Sequence, residues 1–539
     1  MRRILPREWA FPLLSAVALI VLGTAPYLYG YWSAGADEVF MGFVGRGTPG
    51  ANSYLAFARQ VAEGHTLLTN LYTTKSPEHA YFHLEWWLYG VTCRITGLSL
   101  LAMFHVTRVG SVIAFCVAVY YLAATLIDSI AGRRAALMIT CLGAGMGWLI
   151  YLANWFLGIH LEPSLDMLGV TTFGYLVSKP HFIESGVFAA LQYAWFIRGD
   201  QSGNSKYFLL AGLAAALNTF VRPYHIAEAF LFLAAYPCLV FWFRGEWSLK
   251  AIRGSLLALL LFAPAILLQA YTMFHNPLGL GGFVSWYPLS LLSLVLWQGI
   301  PLFAVLLFGL WQGFGHAPAA PRDVALLTAW LCIALLLLFA HPYFPFAQES
   351  YFAFVLAPPI LFVGQIVPRL RELLPWSGLK RWKRRGIVVV FIAAAAGTNA
   401  LVYTKFFYGL HHPDEPWQYY LPKSVISAAE WLKAQGAISP VVLASHDTSQ
   451  FLPRLAHVRV VTGQDALTPD YPRRNNDVFR FFWTPGEDEF KRWICQQWHV
   501  KYVIAGPFEL AGGFKPEAYP WLKRSFVDGN AAVYEVSRN

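Results

Sequence analysis

Residues 10–32 read AFPLLSAVALIVLGTAPYLYGYW, a continuous run without one charged side chain. A helix needs ~20 apolar residues to cross the hydrocarbon core of a bilayer, and this run is long enough. It is too long for the core of a signal peptide, and no convincing cleavage site follows it, so we interpret it as a retained first span. The run decides the fold class because similar segments recur along the chain.

The composition supports the same conclusion. Of the 539 residues, 57% are hydrophobic and 13% are charged, whereas an ordinary soluble domain carries about 25% charged residues. The required span length predicts about eleven transmembrane helices. They lie at about 10–31, 101–127, 135–157, 183–197, 206–221, 224–243, 254–274, 290–313, 324–340, 351–367 and 386–404. The predicted fold class is therefore a polytopic α-helical membrane protein.

The basic residues are distributed unequally between the predicted loops. With a cytoplasmic N-terminus, eighteen of them lie in inner loops and six in outer loops. Because Lys and Arg are enriched in cytoplasmic loops, we predict a multi-pass protein of the inner or plasma membrane with a cytoplasmic N-terminus. An odd number of spans then makes the C-terminus extracytoplasmic. The net charge of +10 is explained by this topology and by contact with membrane lipids, and we predict no nucleic-acid partner.

Two segments are predicted to stand outside the bilayer. The long first outer loop, residues 32–100, contains SYLAFARQVAEG and HAYFHLEWWLYGVTCRITGL, which are apolar on one face and predict helices lying in the interface. The tail, residues 406–539, alternates between helix and strand patterns. This alternation predicts a C-terminal extracytoplasmic α/β domain after a transmembrane domain of residues 1–405.

Within the tail, the strand patterns are PVVLAS, VRVVTG, KYVIAG and AAVYEV, and the helix patterns are SVISAAEWLKAQG and DEFKRWICQQWHV. No glycine-rich nucleotide-binding pattern follows a strand. Six cysteines are scattered along the chain without a CxxC pair or a Cys/His cluster. The sequence therefore predicts neither a structural zinc site nor a disulfide framework.

Ionisable residues gather at the predicted outer ends of the helices. A charge at membrane depth is costly, so such residues usually face a cavity and have a function. Simpler explanations stay open for each of them: solvated helix ends, the wet face of an interfacial helix, contact with lipid headgroups, or a capped helix start. The residues concerned are Asp37, Glu38, Glu78, His79, His83, Glu85, His105, Arg108, Lys179, His181, Glu184, Arg222, His225, Glu228, His341 and Glu349.

One chemistry that needs this arrangement is sugar transfer from a lipid-linked phosphate donor. Lys and Arg at headgroup level bind phosphate, and we assign Arg222, Lys179 and Arg108 to this role. A carboxylate must accept the proton of the acceptor, and Asp37 or Glu38 is the candidate catalytic base. The other predicted substrate-binding residues are His83, Glu85, His181 and His225.

The sequence resembles the GT-C superfamily of integral-membrane glycosyltransferases, which includes protein O-mannosyltransferases and lipid A aminoarabinose transferases. The resemblance lies in GADEVFMGF (35–43) after the first span and in VSKPHF (177–182). It also lies in ANSYLAFARQVAEG and the segments that follow it up to residue 99, which look like an uncharacterised bacterial group, and in EWLKAQ, VVLAS, VVTGQDALT and KYVIAGPFE of the tail. It covers nearly the whole chain, by architecture more than by a strict motif.

The resemblance implies a polyprenyl-phosphate sugar donor and a glycan, lipid or protein acceptor. It implies no cofactor, since the lipid-linked sugar is a substrate, and leaves a divalent metal as an open question. Two positions depart from the pattern: Gly50 stands where several members of the bacterial group carry Asp, and Arg222 stands where a His-Pro pair is expected. Two alternative functions remain: a transporter or flippase of a lipid-linked precursor, and a GT-C fold that has lost catalysis and acts as a binding partner.

Overall fold

The computed structural model describes residues 4–45, 48–75, 82–158, 171–244, 246–274, 299, 301–307, 322–340, 351–373, 378, 380–412, 418–436 and 439–537. They form two compact units. The membrane unit contains the described residues of Met1–Thr24, Val106–Tyr271 and Val284–Lys405. The loop–tail unit contains the described residues of Ala25–His105, Thr272–Phe283 and Phe406–Asn539. One unit boundary falls between Lys405 and Phe406, where the sequence also places the start of the tail domain, and the first outer loop, which the sequence analysis assigned to residues 1–405, belongs to the same compact unit as the tail.

Helices dominate up to residue 411. They are α1 (Ala10–Ser33), α2 (Thr48–Ala62), α3 (Leu84–Thr96), α4 (Leu100–Leu126), α5 (Ile130–Leu142), α6 (Gly147–Leu157), α7 (Thr172–Ser178), α8 (Pro180–Ser202), α9 (Ser205–Val221), α10 (Ile226–Arg244), α11 (Leu249–Phe274), α12 (Arg322–Phe339), α13 (Tyr351–Leu361), α14 (Val367–Leu373) and α15 (Arg381–His411). Among the described residues, six helices are long and apolar enough to cross a bilayer, or seven if the bent pair α5 and α6 forms one span. The predicted polytopic helical fold is confirmed.

The predicted spans other than 135–157 coincide with helices wherever their residues are described. The predicted span 290–313 lies largely outside the described residues. The span at 135–157 differs from the prediction, because α5 and α6 are separated by a short break and bent by 43°. The backbone groups of this break are satisfied by α15: Asn399 Nδ2 donates to the carbonyl of Leu142 at 2.7 Å, and Thr398 Oγ1 donates to that of Gly145. A break at membrane depth is tolerated when neighbouring side chains satisfy the freed backbone groups.

The tail forms a five-stranded mixed sheet. Its strands are β3 (Val441–Leu443), β4 (Arg459–Val460), β5 (Tyr502–Ala505), β6 (Leu522–Asp528) and β7 (Ala531–Val536), in the order β4-β3-β5-β7-β6. The pairs β3–β4 and β3–β5 are parallel, and the pairs β5–β7 and β6–β7 are antiparallel. The predicted α/β domain is confirmed, and β6 is a strand that the sequence patterns did not predict.

Helices cover both faces of this sheet. They are α16 (Lys423–Ala434), α17 (His446–Leu455), α18 (Tyr471–Trp483), α19 (Asp488–Gln497) and the short α20 (Pro507–Ala511). One core packs Val442 and Ile504 against α16 and α17, and the other packs Leu443 and Val503 against α18 and α19. Alternate residues of each buried strand therefore enter opposite cores, as the two-residue period of a strand requires.

The first outer loop completes the fold of the tail. In α2, the side chain of Arg59 is buried and donates to the carbonyl of Pro453 through Nε at 3.1 Å and Nη2 at 2.9 Å. The N–H of Val460 on β4 donates to the carbonyl of Leu71 at 3.0 Å. The polar side chains of Asn52, Arg59 and Gln60 on α2 are therefore buried, with hydrogen bonds inside the loop–tail unit.

Candidate functional site

Two cations of the membrane unit share one aromatic ring. The guanidinium of Arg222 lies 4.1 Å from the ring centroid of Phe182, and Nζ of Lys179 lies 5.0 Å from it. Arg222 is only 3% exposed, whereas Lys179 is partly exposed. The two positive charges repel each other, and this repulsion is relieved when an anion binds between or beside them. We call Lys179 and Arg222 the cation pair.

The local sequence explains this placement. Lys179 is the N-cap of α8, which begins at Pro180, a residue favoured in the first turn because it has no N–H to satisfy. Phe182 follows in the same turn. Arg222 is the residue after the last turn of α9, and its backbone is extended. The two helices form an antiparallel pair, which brings the start of α8 next to the end of α9.

A buried carboxylate lies three residues beyond the turn of Arg222. Glu228 in the first turn of α10 is fully buried, and its Oε2 lies 3.5 Å from Nδ1 of His225. Its Oε1 accepts hydrogen bonds from the indole of Trp330 and from the hydroxyl of Tyr193 at 3.5 Å. We call Tyr193, His225, Glu228 and Trp330 the Glu228 cluster. The cluster connects α8, α10 and α12 directly to the turn that carries Arg222.

Arg108 lies in the same unit, on α4. Its Nη2 donates to Oγ1 of Thr24 at 3.0 Å, and its side chain is 2% exposed. One turn further along α4, Ser111 Oγ donates to Oε1 of Glu184 on α8 at 3.1 Å. Arg108 is thus held by α1, and the carboxylate of α8 is held by α4. His181 is buried beside Phe182, with ring centroids 4.7 Å apart.

Asp37 and Glu38, the predicted catalytic acids, lie in the loop–tail unit. Asp37 occupies a turn, and Glu38 opens the short strand β1 (Glu38–Phe40), which pairs antiparallel with β2 (Tyr420–Pro422). Both side chains are exposed. Their backbone is held by the tail, because the N–H of Lys423 donates to the carbonyl of Asp37 at 2.9 Å. An exposed carboxylate on a fixed backbone is suited to accept a proton from a bound substrate.

His83 and Glu85 lie at the start of α3 in the same unit. His83 is the N-cap residue and is 5% exposed, and Glu85 is 2% exposed. The ring of His83 stacks on Trp86 at 5.0 Å, and Tyr54 also stacks on Trp86, at 4.6 Å. The two predicted residues therefore do not form the wet face of an interfacial helix. His83 is part of an aromatic core between α2 and α3, and Glu85 is buried in the first turn of α3.

The structure brings some predicted residues together and leaves others apart. Lys179, His181 and Arg222 gather around Phe182, and His225 joins Glu228. The sequence analysis did not predict the contacts of Phe182 with the two cations or those of Tyr193 and Trp330 with Glu228. The aromatic residue after Pro180 and His181 could have indicated a partner for a cation. The positions of Glu78, His79, His341 and Glu349 lie outside the described residues. Among the described residues, no group of three His, Cys, Asp or Glu side chains is arranged to hold a metal ion.

The comparison with solved structures defines the class of fold. ArnT from Cupriavidus metallidurans, bound to undecaprenyl phosphate, matches 97% of this chain and 97% of its own with a TM-score of 0.52 and 14% sequence identity. ArnT in the apo state matches 96% of this chain and 98% of its own, with a TM-score of 0.50 and 13% identity. These neighbours are GT-C membrane glycosyltransferases, so the chain has the GT-C fold that its sequence resemblance predicted.

A second neighbour supports the same fold. The oligosaccharyltransferase of Archaeoglobus fulgidus, in the apo form, has a TM-score of 0.50 and 13% identity over 98% of this chain and 74% of its own. No protein-family profile and no curated protein sequence matches the chain. At these identities the likeness establishes the architecture, whereas substrate and residue roles must be argued from the residues of this chain.

Proposed function

We propose that this protein transfers a sugar from a polyprenyl-phosphate-linked donor to an extracytoplasmic acceptor, which is a glycan, a lipid or a protein. The observation that carries the proposal is the cation pair on Phe182, in a fold shared along its whole length with a protein solved with undecaprenyl phosphate. Two cations at the ends of neighbouring helices suit a phosphate that reaches them from a lipid. The choice of sugar is left to experiment.

The proposed chemistry assigns one role to each group. The carboxylate of Asp37 or Glu38 takes the proton of the acceptor hydroxyl or amine, and the acceptor atom forms a bond to the anomeric carbon of the sugar. The bond between that carbon and the phosphate oxygen breaks, and its electron pair leaves with polyprenyl phosphate. Arg222 and Lys179 stabilise the charge that develops on this leaving phosphate, which is the type of interaction that contributes most to many enzymatic rates.

Arg108, His181 and His225 have supporting roles in the proposal. Arg108 is buried and fixed by Thr24, so it adds positive potential at a defined position instead of moving with the ligand. His181 packs against Phe182 and keeps the ring in place under the two cations. His225 and Glu228 fix the turn of Arg222. His83 and Glu85 contribute through the packing of α3 on α2.

The test is a transfer assay on the full chain purified in detergent. Radiolabelled undecaprenyl-phosphate sugars, a hexose, a pentose and an amino-pentose, are incubated with the protein and a membrane-envelope extract as acceptor. We expect loss of donor radioactivity into product for at least one donor, and loss of this activity in Arg222→Met. The matched control is Arg198→Met, because Arg198 lies in α8, the helix that carries Phe182, and its guanidinium also packs on a ring, that of Tyr121 at 4.5 Å. Turnover that survives in Arg222→Met argues against the cation pair as the phosphate site.

Gly50 favours a second candidate function, a binding protein that holds a lipid-linked sugar without transferring it. Several members of the resembling bacterial group carry Asp at this position, and nothing in the backbone of α2 requires glycine there. A Cβ at Gly50 would lie 3.6 Å from the hydroxyl of Tyr54, which is an ordinary van der Waals contact. Tight binding without turnover in the native protein, together with turnover in Gly50→Asp, would establish this alternative. Turnover in the native protein excludes it.

A further inference from the structure

The segment that carries the candidate catalytic acids is built into the tail. We call residues 36–44 the carboxylate segment. Its strand β1 pairs with β2 in the register Glu38↔Pro422, Val39↔Leu421 and Phe40↔Tyr420. The N–H of Met41 donates to the carbonyl of Tyr419 at 2.8 Å, and Nζ of Lys423 donates to that of Ala36 at 2.6 Å. The backbone on both sides of the two acids is therefore hydrogen-bonded to residues 419–423.

A single arginine of the tail joins the carboxylate segment to α2. Nη1 of Arg454 donates to the carbonyl of Met41 at 2.9 Å and to Oδ1 of Asn52 at 3.0 Å. The guanidinium also lies 4.9 Å from the ring centroid of Phe43. Asn52 and Phe43 are both buried. Arg454 thus contacts the carboxylate segment at the backbone of Met41 and at the ring of Phe43, and it contacts α2 at the side-chain amide of Asn52.

Arg454 remains charged while it does this. Burial lowers its pKa to about 10, and the phenols of Tyr31 and Tyr72 act in the opposite direction. At neutral pH the guanidinium is protonated, so its hydrogen bonds to the neutral acceptors are charge-assisted and stronger than ordinary ones. Removal of the side chain would leave a buried acceptor on Asn52 and a carbonyl on Met41 without their donor.

A two-stranded pairing of three residues is not stable on its own in water. The orientation of Asp37 and Glu38 therefore depends on the additional contacts of the tail, and a catalytic base must be held in a defined geometry to be effective. From these contacts we infer that the tail positions the catalytic carboxylates of the first outer loop, and that Arg454 is the positioning residue. The inference rests on the proposed function for its kinetic part and on geometry alone for its structural part.

The chain offers a matched control for Arg454. Arg459 is also a partly buried arginine of the tail, and it also donates to carbonyls of the first outer loop. Its Nη1 contacts the carbonyls of Thr74 at 2.9 Å and Lys75 at 3.0 Å, and its Nε contacts that of Ser439 at 2.9 Å. Arg459 makes the same type of interaction as Arg454 but at a part of the loop that does not carry the acids.

The first measurement is hydrogen–deuterium exchange on the full chain in detergent, without any ligand. In Arg454→Met we expect about tenfold faster exchange of the Met41 and Lys423 amides, with unchanged exchange in β5 and β7. In Arg459→Met these two amides keep their native rate. In Arg454→Lys we expect partial recovery, because one Nζ can donate to both acceptors that Nη1 serves. Native exchange at Met41 and Lys423 in Arg454→Met, or equal acceleration in Arg459→Met, overturns the inference.

The second measurement is the kinetics of transfer with the undecaprenyl-phosphate sugar that is active in the assay above. We expect kcat of Arg454→Met to fall about tenfold with an unchanged KM for the donor, because the phosphate is bound by other residues. An equal rise in donor KM indicates general damage and contradicts a positioning role. If none of the donors is turned over, the proposed function fails, whereas the exchange experiment still decides whether the tail positions the carboxylate segment.

Discussion

Arg222 and Glu228 of the membrane unit and the candidate catalytic acids of the loop–tail unit are held in opposite ways. In the membrane unit, Arg222 is buried against Phe182, and Glu228 is fully buried between Trp330, Tyr193 and His225. In the loop–tail unit, the carboxylates of Asp37 and Glu38 are exposed, and only their backbone is held. Side chains that bind a fixed anion benefit from a dry and rigid surrounding, whereas a base must be reachable by its substrate. The difference is what the proposed division between phosphate binding and proton transfer requires.

The sharpest way to test this separation is to remove the exposed carboxylates. We expect Asp37→Asn or Glu38→Gln, whichever is the base, to lower kcat by about 10²–10⁴-fold, the typical contribution of general base catalysis. The fold should be unaffected, since both side chains are exposed. The measurement is steady-state transfer with the active donor, and Asp528→Asn, an exposed carboxylate on β6, is the control. Native kcat in both single variants and in the double variant would remove the acids from the mechanism.

Substitutions in the cation pair should change the affinity for the lipid phosphate instead of kcat. We expect Arg222→Met to weaken binding of undecaprenyl phosphate by about 10- to 100-fold, which corresponds to the loss of one to two charge-assisted hydrogen bonds. Arg222→Lys should recover only part of the affinity, because an ammonium cannot form a two-pronged contact with phosphate. The affinity is measured by thermal shift with the free lipid phosphate. If Arg222→Met binds undecaprenyl phosphate as tightly as the native protein does, Arg222 is not part of the phosphate site.

Substitutions in the Glu228 cluster should lower the free energy of unfolding. In Glu228→Ala, the indole of Trp330 and the ring of His225 lose a buried partner, and we expect a loss of about 2 kcal/mol in the free energy of unfolding. Glu228→Gln keeps an acceptor for Trp330 and should lose less. Thermal unfolding in detergent checks both, with the exposed Glu246→Gln as reference. A Glu228→Ala protein as stable as this reference contradicts a fixing role for the cluster.

The smallest effect is expected in the contact between α2 and the tail. Burial raises the pKa of Glu63, but the hydrogen bond from His457 and the ion pair with Arg59 outweigh it and leave the pKa below its ordinary value. The carboxylate therefore stabilises the fold above the ordinary Glu pKa, and this contribution is lost as the pH falls through the lowered value. We expect this contribution to the free energy of unfolding to be less than about 1 kcal/mol, because Glu63 is partly exposed to solvent.

The check is the melting temperature of the native protein and of Glu63→Gln between pH 7 and pH 3. The difference in melting temperature between the native protein and Glu63→Gln should be largest at pH 7 and should vanish near pH 3. A difference that is independent of pH would mean that the charge of Glu63 does not contribute.

Sequence patterns predicted the elements of the fold better than its contacts. Spans follow from apolar length, and the start of α8 follows from Pro180, since both signals are local. The strand β6 was missed because its side chains are largely exposed and LKRSFVD lacks a clear apolar alternation. The helix α17 was missed because HDTSQFLPRL contains Pro453 and few apolar residues. These failures have local causes.

The contacts around the candidate site could not be predicted from the sequence, for a different reason. The contact of Arg59 with the carbonyl of Pro453 joins residues 394 positions apart, and no periodicity within one sequence predicts such a pairing. The same holds for the contact of Arg454 with Met41. The sequence could place ionisable residues at helix ends, but it could not tell that Phe182 lies under two cations or that Glu85 is buried.

The pairing of the first outer loop with the tail has a consequence for biosynthesis. Ribosomes add about 5–20 residues per second, so the partner of Arg59 is synthesised about 20–80 s after Arg59 itself. During this interval Arg59 on α2 has no Pro453 carbonyl to donate to, and the carbonyl of Leu71 has no N–H of Val460 from which to accept a hydrogen bond. The first outer loop therefore stays without these partners until residues 453–460 have been made. The order of synthesis places the completion of the loop–tail unit after the synthesis of α4 to α15.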